Sequence, residues 1–223
     1  MGDVRLLAIP AAIGLAAGLL VAAAGPQETA GATGAARISA AQLEAGGSPV
    51  LGDPGAPVTI VEWGDYQCTF CFKFHQSTLE SLEGYVESGE VRMVFKDFVL
   101  NGPDSGLAAE ASHCAAEQGL YWEYHDALYE NWGGERTGWI TPGSLEVLAE
   151  GAGLEAGPFA ECLESGRHAE KVAGLYEEGR SLGVDGTPSF LIYGDEKAVR
   201  ITGNQPLGAF EAALADLGVG AGG

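Results

Sequence analysis

The apolar positions of the chain first follow a strand pattern and then a helix pattern. Residues 58–63 are β-branched and apolar on both faces, which is typical of a central strand in a sheet. From 68 to 86 the apolar positions recur at spacings of a helix and predict one buried face. That face comprises Phe72, Leu79, Leu82 and Val86. A second apolar run over 91–95 predicts another strand.

The middle of the chain is predicted to be helical from about residue 107 to 182. Thr141-Pro142 predicts a capped helix start, and Pro158 predicts the start of a further short helix. Beyond this block, residues 189–192 and 198–201 resemble a β-hairpin, and 207–217 a final helix. Strands and helices alternate on both sides of the block, so the pattern favours an α/β fold with an all-helical insertion.

The N-terminus has a different pattern. Residues 6–24 carry no charge, follow Arg5, and end in three alanines. The pattern indicates a secretory signal peptide or an uncleaved membrane anchor over 1–24. Residues 25–37 are small and Gly-rich, which is typical of a flexible tether. Both interpretations of 1–24 place the following domain outside the cytosol, where it is periplasmic, secreted or held at the cell surface.

The charge of the chain excludes one class of partner. The sequence has 31 Asp and Glu against 11 Lys and Arg, a formal net charge of −20. Such an anionic surface argues against nucleic acid as a ligand. We interpret the excess of acid as a contribution to solubility, and we expect contact with a membrane only through the N-terminal segment.

The stretch EWGDYQCTFCF, residues 62–72, places Cys68 and Cys71 between the first strand and the following helix. A structural zinc site commonly needs a second close pair of ligands, but Cys114 and Cys162 are isolated from each other in sequence. We therefore expect no metal at the pair. A purely structural bridge is also disfavoured, because the loop it would close is very short.

Redox chemistry fits this position better. The unpaired N–H groups and the dipole at the beginning of a helix stabilise a thiolate, which is the attacking species in disulfide exchange. Cys68 lies at the predicted helix start and Cys71 one turn further in. We therefore expect Cys68 to have the lower pKa and to form the mixed disulfide, and Cys71 to resolve it.

The cysteine motif and the later Gly186-Thr187-Pro188-Ser189-Phe190 resemble the DsbA-like branch of the thioredoxin fold. The resemblance covers about residues 50 to 217. It implies one thioredoxin domain, 38–219, with the helical insertion at about 102–183, between the second strand and the cis-proline strand. It also implies that Pro188 is cis beside the cysteines, and that the Thr187 backbone is presented to an incoming peptide strand.

The family resemblance implies an extracytoplasmic thiol–disulfide oxidoreductase that forms disulfides in exported proteins. Its partners would be cysteine-containing exported proteins and a redox protein that resets the pair, and no dissociable cofactor is implied. Such proteins usually begin the dipeptide between the cysteines with proline, whereas this chain has Thr69-Phe70. Two alternatives therefore stay open: a disulfide reductase or isomerase, for example in cytochrome assembly, and a non-catalytic chaperone-like or metal-binding module.

Further site residues follow from the same resemblance or lie near the motif. Glu62 matches a buried acid that handles protons near the cysteines, the alternative being a solvated glutamate. Tyr66 and Phe70 are candidates for an apolar surface that contacts substrate, the alternative being burial in the core. The four histidines are interpreted as packed or solvated side chains.

The remaining cysteines, Cys114 and Cys162, match the positions at which many DsbA-like proteins bridge the helical insertion with a second disulfide. Two buried free thiols and an electron relay to the catalytic pair are the alternatives.

Overall fold

The computed structural model describes residues 39–220. The predicted signal or anchor segment, 1–24, and the tether, 25–37, lie outside the described residues. Within 39–220, every helix is too short or too polar to cross a membrane.

A mixed sheet of four strands forms the centre of the fold, in the order β2-β1-β3-β4. The strands are β1 (Val58–Gly64), β2 (Val91–Asp97), β3 (Ser189–Tyr193) and β4 (Ala198–Thr202). β1 pairs parallel with β2 and antiparallel with β3, and β3 pairs antiparallel with β4. β1 is buried along its whole length, as its apolar pattern predicts for a strand with neighbours on both sides.

The helices surround this sheet and form the insertion. They are α1 (Ala40–Glu44), α2 (Thr69–Phe74), α3 (Glu80–Glu87), α4 (Pro103–Glu117), α5 (Tyr121–Glu130), α6 (Pro142–Gly151), α7 (Ala156–Ser165), α8 (Ala169–Ser181) and α9 (Leu207–Asp216). The helices α4 to α8 lie between β2 and β3 in the chain, which confirms the predicted thioredoxin fold with a helical insertion.

The predicted helix starts are right in one case and displaced in the other. Thr141 caps α6 by accepting a hydrogen bond from the N–H of Ser144, whose side chain bonds back to Thr141. Helix α7 begins at Ala156, two positions before Pro158, so the start predicted there is wrong. Proline is tolerated within the first turn because the N–H groups there have no partner inside the helix.

The helix after the cysteines contains a π-helical turn, His75–Leu79, between α2 and α3. Hydrogen bonds from i to i+5 add a residue to the turn and rotate all later positions about the axis. The prediction that Phe72 shares a face with Leu79 is therefore wrong. The Phe72 ring stacks on Trp132, with centroids 4.6 Å apart, and Phe74 occupies the apolar face instead.

The apolar core has parts on both sides of the sheet and a third part within the insertion. On one side, Ile60 and Phe190 pack with Phe74 of α2 and Phe210 of α9. On the other side, Trp63 packs with residues that include Leu43, Val94 and Phe98. The core of the insertion is continuous with the cysteine motif, since Cys71 and Tyr66 belong to the same cluster as Tyr124, Leu128 and Phe159.

A disulfide joins Cys114 of α4 to Cys162 of α7, and both residues are buried. This is the pairing that the family resemblance implies. It closes a loop spanning 48 positions of the chain and links two helices of the insertion.

We expect the double substitution Cys114→Ala with Cys162→Ala to lower the free energy of unfolding by about 3 to 4 kcal/mol. The reason is that the bridge restricts a loop of 48 residues in the unfolded chain. Chemical denaturation of the oxidised protein and of the variant measures this loss. A loss below about 1 kcal/mol would show that the bridge contributes little.

Candidate active site

The loop between β1 and α2 is fixed by a buried carboxylate. Asp65 accepts hydrogen bonds from the N–H groups of Leu100 and Asn101, at 2.7 and 2.9 Å. Its other oxygen accepts from the N–H of Gln67 at 2.8 Å and from the hydroxyl of Ser105 at 2.7 Å. A carboxylate with this many donors holds the loop in one conformation, so it sets the position of the cysteine that follows.

Cys68 is the N-cap residue of α2. Its Sγ accepts a hydrogen bond from the N–H of Cys71 at 3.4 Å. This N–H is one of those that have no carbonyl partner at the beginning of a helix. The sulfur is also 3.4 Å from the carbonyl oxygen of Thr187, to which the protonated thiol can donate. The side chain is mostly covered, with 6% of the residue exposed.

The pKa of Cys68 is lowered to about 6. The largest cause is a hydrogen bond from the Cys71 side chain, against which burial acts in the opposite direction. The Thr187 side chain and the backbone N–H groups of Cys71 and Phe70 lower the pKa further. At neutral pH the Cys68 sulfur is therefore mostly a thiolate, which is the reactive form.

Cys71 lies behind Cys68 and has no exposed surface. Burial raises its pKa well above the ordinary value, and hydrogen bonding to Cys68 and the charges of Cys68 and Glu62 raise it further. Both cysteines are free thiols in this structure. One thiolate beside one protonated thiol is the arrangement needed for attack by the first sulfur and later closure by the second.

The segment before β3 forms one wall of the site. The Thr187–Pro188 bond is cis, as the family resemblance implies. The Thr187 carbonyl oxygen reaches Cys68 from this wall. The wall is held by β3, whose Ser189 pairs with Trp63 of β1, so the cysteine loop and the Thr187 segment belong to neighbouring strands of one sheet.

Glu62 is a buried acid in the centre of the sheet. It pairs with Phe95 of β2 and Phe190 of β3, and 2% of the residue is exposed, so the alternative of a solvated glutamate is wrong. Burial raises its pKa well above the ordinary value, and the charge of Cys68 adds to the rise. Within the part of the chain that the structure describes, its Oε1 has no hydrogen-bond partner, and its Oε2 is 3.8 Å from Nε2 of His75.

The two candidate contact aromatics have opposite environments. Phe70 is 57% exposed beside Cys68, as a substrate-contacting residue would be. Tyr66 is buried, with 1% exposed, so the prediction that it contacts substrate is wrong. Its ring packs in the insertion core against Phe95 and Tyr129, and its hydroxyl is 2.9 Å from Nδ1 of His125.

Two polar groups near the site were missed by the sequence interpretation. Asp65 is recognisable only by its position three residues before Cys68, because its partners lie in the loop after β2. The sequence predicts His75 to be a packed or solvated side chain; it is packed, and its Nε2 lies 3.8 Å from Oε2 of Glu62. Burial lowers the pKa of His75 to about 3 and raises the pKa of Glu62 well above its ordinary value, so burial disfavours an ion pair between the two side chains.

Comparisons with known proteins agree with this fold. A family model described as Thioredoxin matches residues 44–215, more than half of the chain. Disulfide bond formation protein D of Bacillus subtilis strain 168 is 30% identical over 158 residues, which cover 69% of this chain and 70% of that protein. The Na(+)/H(+) antiporter NhaA 3 of Salinispora tropica is 35% identical over 147 residues, or 65% of this chain. The chain spans only 21% of that antiporter's length.

A solved structure agrees in both fold and sequence. Oxidised BdbD from Bacillus subtilis superposes with a TM-score of 0.69 at 27% identity, covering 76% of this chain and 92% of that one. The region that the family model matches contains β1, helix α2 with its two cysteines, and the helical insertion α4 to α8. The chain therefore belongs to the DsbA-like family of thioredoxin-fold thiol–disulfide oxidoreductases.

Proposed function

We propose that this protein forms disulfide bonds in cysteine-containing exported proteins outside the cytoplasm. The observation that carries this proposal is the Cys68 sulfur at the beginning of α2, with its pKa lowered to about 6 and Cys71 protonated behind it. A stabilised thiolate favours the reduced form of the pair, and a pair with a stable reduced form accepts electrons from other thiols.

The chemistry transfers two electrons and proceeds through two exchanges. A substrate thiolate attacks Sγ of Cys68 in the oxidised pair, the bond between Cys68 and Cys71 breaks, and the Cys71 sulfur takes up a proton. A second substrate thiolate then attacks the substrate sulfur of the mixed disulfide, and Cys68 leaves as a thiolate. The substrate has gained a disulfide, and a redox partner that accepts two electrons restores the pair.

Glu62 is proposed as the group that exchanges a proton with Cys71. It is buried, its pKa is raised, and its charge raises the pKa of Cys71, so the two groups interact. A neutral carboxylic acid beside the leaving sulfur can supply the proton that Cys71 takes up, and its carboxylate can receive that proton when the pair closes again.

Substrate is proposed to bind as an extended strand along the Thr187 segment, with Pro188 shaping that edge and Phe70 giving apolar contact. The support is that Thr187 borders Cys68 directly and that Phe70 is more than half exposed beside it. Extended peptides bind to exposed backbone of this kind through main-chain hydrogen bonds, which do not depend on their sequence.

Two features support an extracytoplasmic location. The uncharged segment 6–24 has the composition of a signal peptide or anchor. The Cys114–Cys162 disulfide is of a kind that persists in oxidising compartments and is rare in the cytosol.

The Bacillus relative named for disulfide bond formation supports oxidation, rather than reduction, of substrate thiols.

The reduction potential of the Cys68–Cys71 couple tests whether the protein oxidises or reduces its substrates. Thioredoxin has a cysteine pKa of about 7 and a reduction potential of about −270 mV. DsbA has a cysteine pKa of about 3.5 and a reduction potential of about −120 mV. A pKa of about 6 for Cys68 predicts a potential between these values. Equilibration with glutathione, read by tryptophan fluorescence, measures it. A value at or below that of thioredoxin would support a reductase instead.

The division of roles between the cysteines predicts which variant traps substrate. With Cys71→Ser, a reduced substrate protein that has a single cysteine, mixed with disulfide reagent, should accumulate as a mixed disulfide with Cys68, because neither Cys71 nor a second substrate thiol can attack it. The matched variant Cys68→Ser should trap at least about tenfold less, since the remaining thiol is buried and protonated. Non-reducing electrophoresis with mass spectrometry measures both. Equal trapping would contradict the assignment, and none in either variant would favour a non-catalytic module.

Replacing Glu62 by Gln removes the proposed proton exchange. We expect closure of the Cys68–Cys71 disulfide from a glutathione mixed disulfide to slow by about tenfold or more at neutral pH. The raised pKa places the titration of Glu62 above its ordinary range, so the wild-type pH profile should contain a step that the variant lacks. Stopped-flow fluorescence measures both rates. The exposed Glu87→Gln is the matched control, and a Glu62→Gln profile identical to that of wild type would contradict the role.

A further inference from the structure

Two buried histidines from different elements meet below the active site. His75 belongs to the π-helical turn and His125 to α5, and their ring centroids are 4.7 Å apart. The His75 side chain is 5% exposed, and His125 is fully buried. Among residues 39–220, neither Nε2 atom has a hydrogen-bond partner, and Oε2 of Glu62 lies 3.8 Å from Nε2 of His75. Burying two polar nitrogens without partners costs folding free energy. A bound cation that accepts their lone pairs would remove that cost.

The remaining contacts of His125 prepare it as a metal ligand. Its Nδ1 is 2.9 Å from the hydroxyl of Tyr66, which is itself buried. When Nδ1–H donates to Tyr66, Nε2 carries the free lone pair. Histidines that bind metals commonly donate their other ring N–H in this way, which fixes the tautomer and the orientation of the ring. Burial also keeps both imidazoles in the neutral form that metals require, since it lowers the pKa of His75 and that of His125.

A carboxylate completes the cluster. One ring nitrogen of each histidine and one carboxylate oxygen of Asp126 all lie within 4.8 Å of one another. His75 and Asp126 line an open cavity of about 230 Å³, whose wall also carries Glu80, Glu83 and Glu130. Among residues 39–220, no lysine or arginine pairs with these four acids. The cavity therefore attracts cations, and the pKa of Asp126 is raised to about 6 by burial and then by neighbouring carboxylates.

We propose that His75, His125 and Asp126 bind a divalent transition-metal ion of the zinc type. Imidazole nitrogen with one carboxylate suits zinc and its first-row neighbours, whereas calcium and magnesium prefer ligands that are all oxygen. Three protein ligands leave a coordination position for water or for a carboxylate of the cavity wall. The ion would link the cysteine helix to the insertion, and the proposal does not depend on the direction of the redox chemistry.

A cobalt titration tests this site. Co²⁺ is added to the untagged full chain with both cysteine pairs oxidised, so that no thiolate can bind it. We expect one ion per chain to bind, with visible d–d absorption typical of nitrogen and oxygen ligands, and Zn²⁺ to displace it. Asp126→Asn should weaken the affinity by about tenfold or more. Tyr66→Phe, which removes the hydrogen bond that orients His125, should weaken it by about 10- to 100-fold.

The matched control is Glu123→Gln. Glu123 is exposed on the same helix and is close enough to raise the pKa of Asp126, but it does not line the cavity. Both substitutions remove one negative charge, so an equal loss of affinity in Asp126→Asn and Glu123→Gln would show only a diffuse acidic surface and overturn the proposal. Absence of saturable binding, or binding only after the cysteines are reduced, would overturn it as well.

Discussion

The chemistry of this protein depends on the hydrogen bonds that the Cys68 sulfur accepts at the beginning of α2, first from the Cys71 side chain and also from the backbone N–H groups of Cys71 and Phe70. The N–H of Cys71 is 3.4 Å from that sulfur. Burial alone would raise the pKa of a covered thiol, as it does for Cys71. Hydrogen bonds to the charged form reverse that effect for Cys68, so two cysteines of the same helical turn acquire opposite protonation states. The lower pKa belongs to the sulfur at the helix end.

The rest of the fold keeps these hydrogen bonds in place. Asp65 fixes the loop in front of Cys68 through four hydrogen bonds, and β3 carries Thr187 to the same sulfur. Because side chains alternate along a strand, Glu62 faces the side of β1 that also carries Ile60, the side covered by α2. The buried acid therefore lies on the side of the sheet that α2 covers. The insertion covers the other side of the motif through Tyr66 and Cys71 in its core.

Local signals in the sequence predicted much of the scaffold. Three features depend only on residues that are close together in the sequence. They are the continuous apolar run of β1, the cap of α6 and the hairpin of β3 and β4. The cis bond at Pro188 and the Cys114–Cys162 pairing followed from the family resemblance, not from local pattern. Long-range contacts explain the failures. Tyr66 is only four residues from the exposed Phe70, but its hydroxyl is 2.9 Å from Nδ1 of His125 in the insertion. The π-helical turn changes the phase of the helix after Phe74, which spacing alone does not reveal.

A thiolate titration of the reduced protein tests the stabilisation of the Cys68 sulfur most directly. The ultraviolet absorbance of the thiolate is followed against pH, with Cys68→Ser as the reference that removes its signal. The structure predicts a transition with a pKa of about 6, while Cys71 stays protonated through the neutral range. A first transition above about pH 8, where an ordinary cysteine ionises, would show that the helix end does not stabilise the sulfur and would contradict the account.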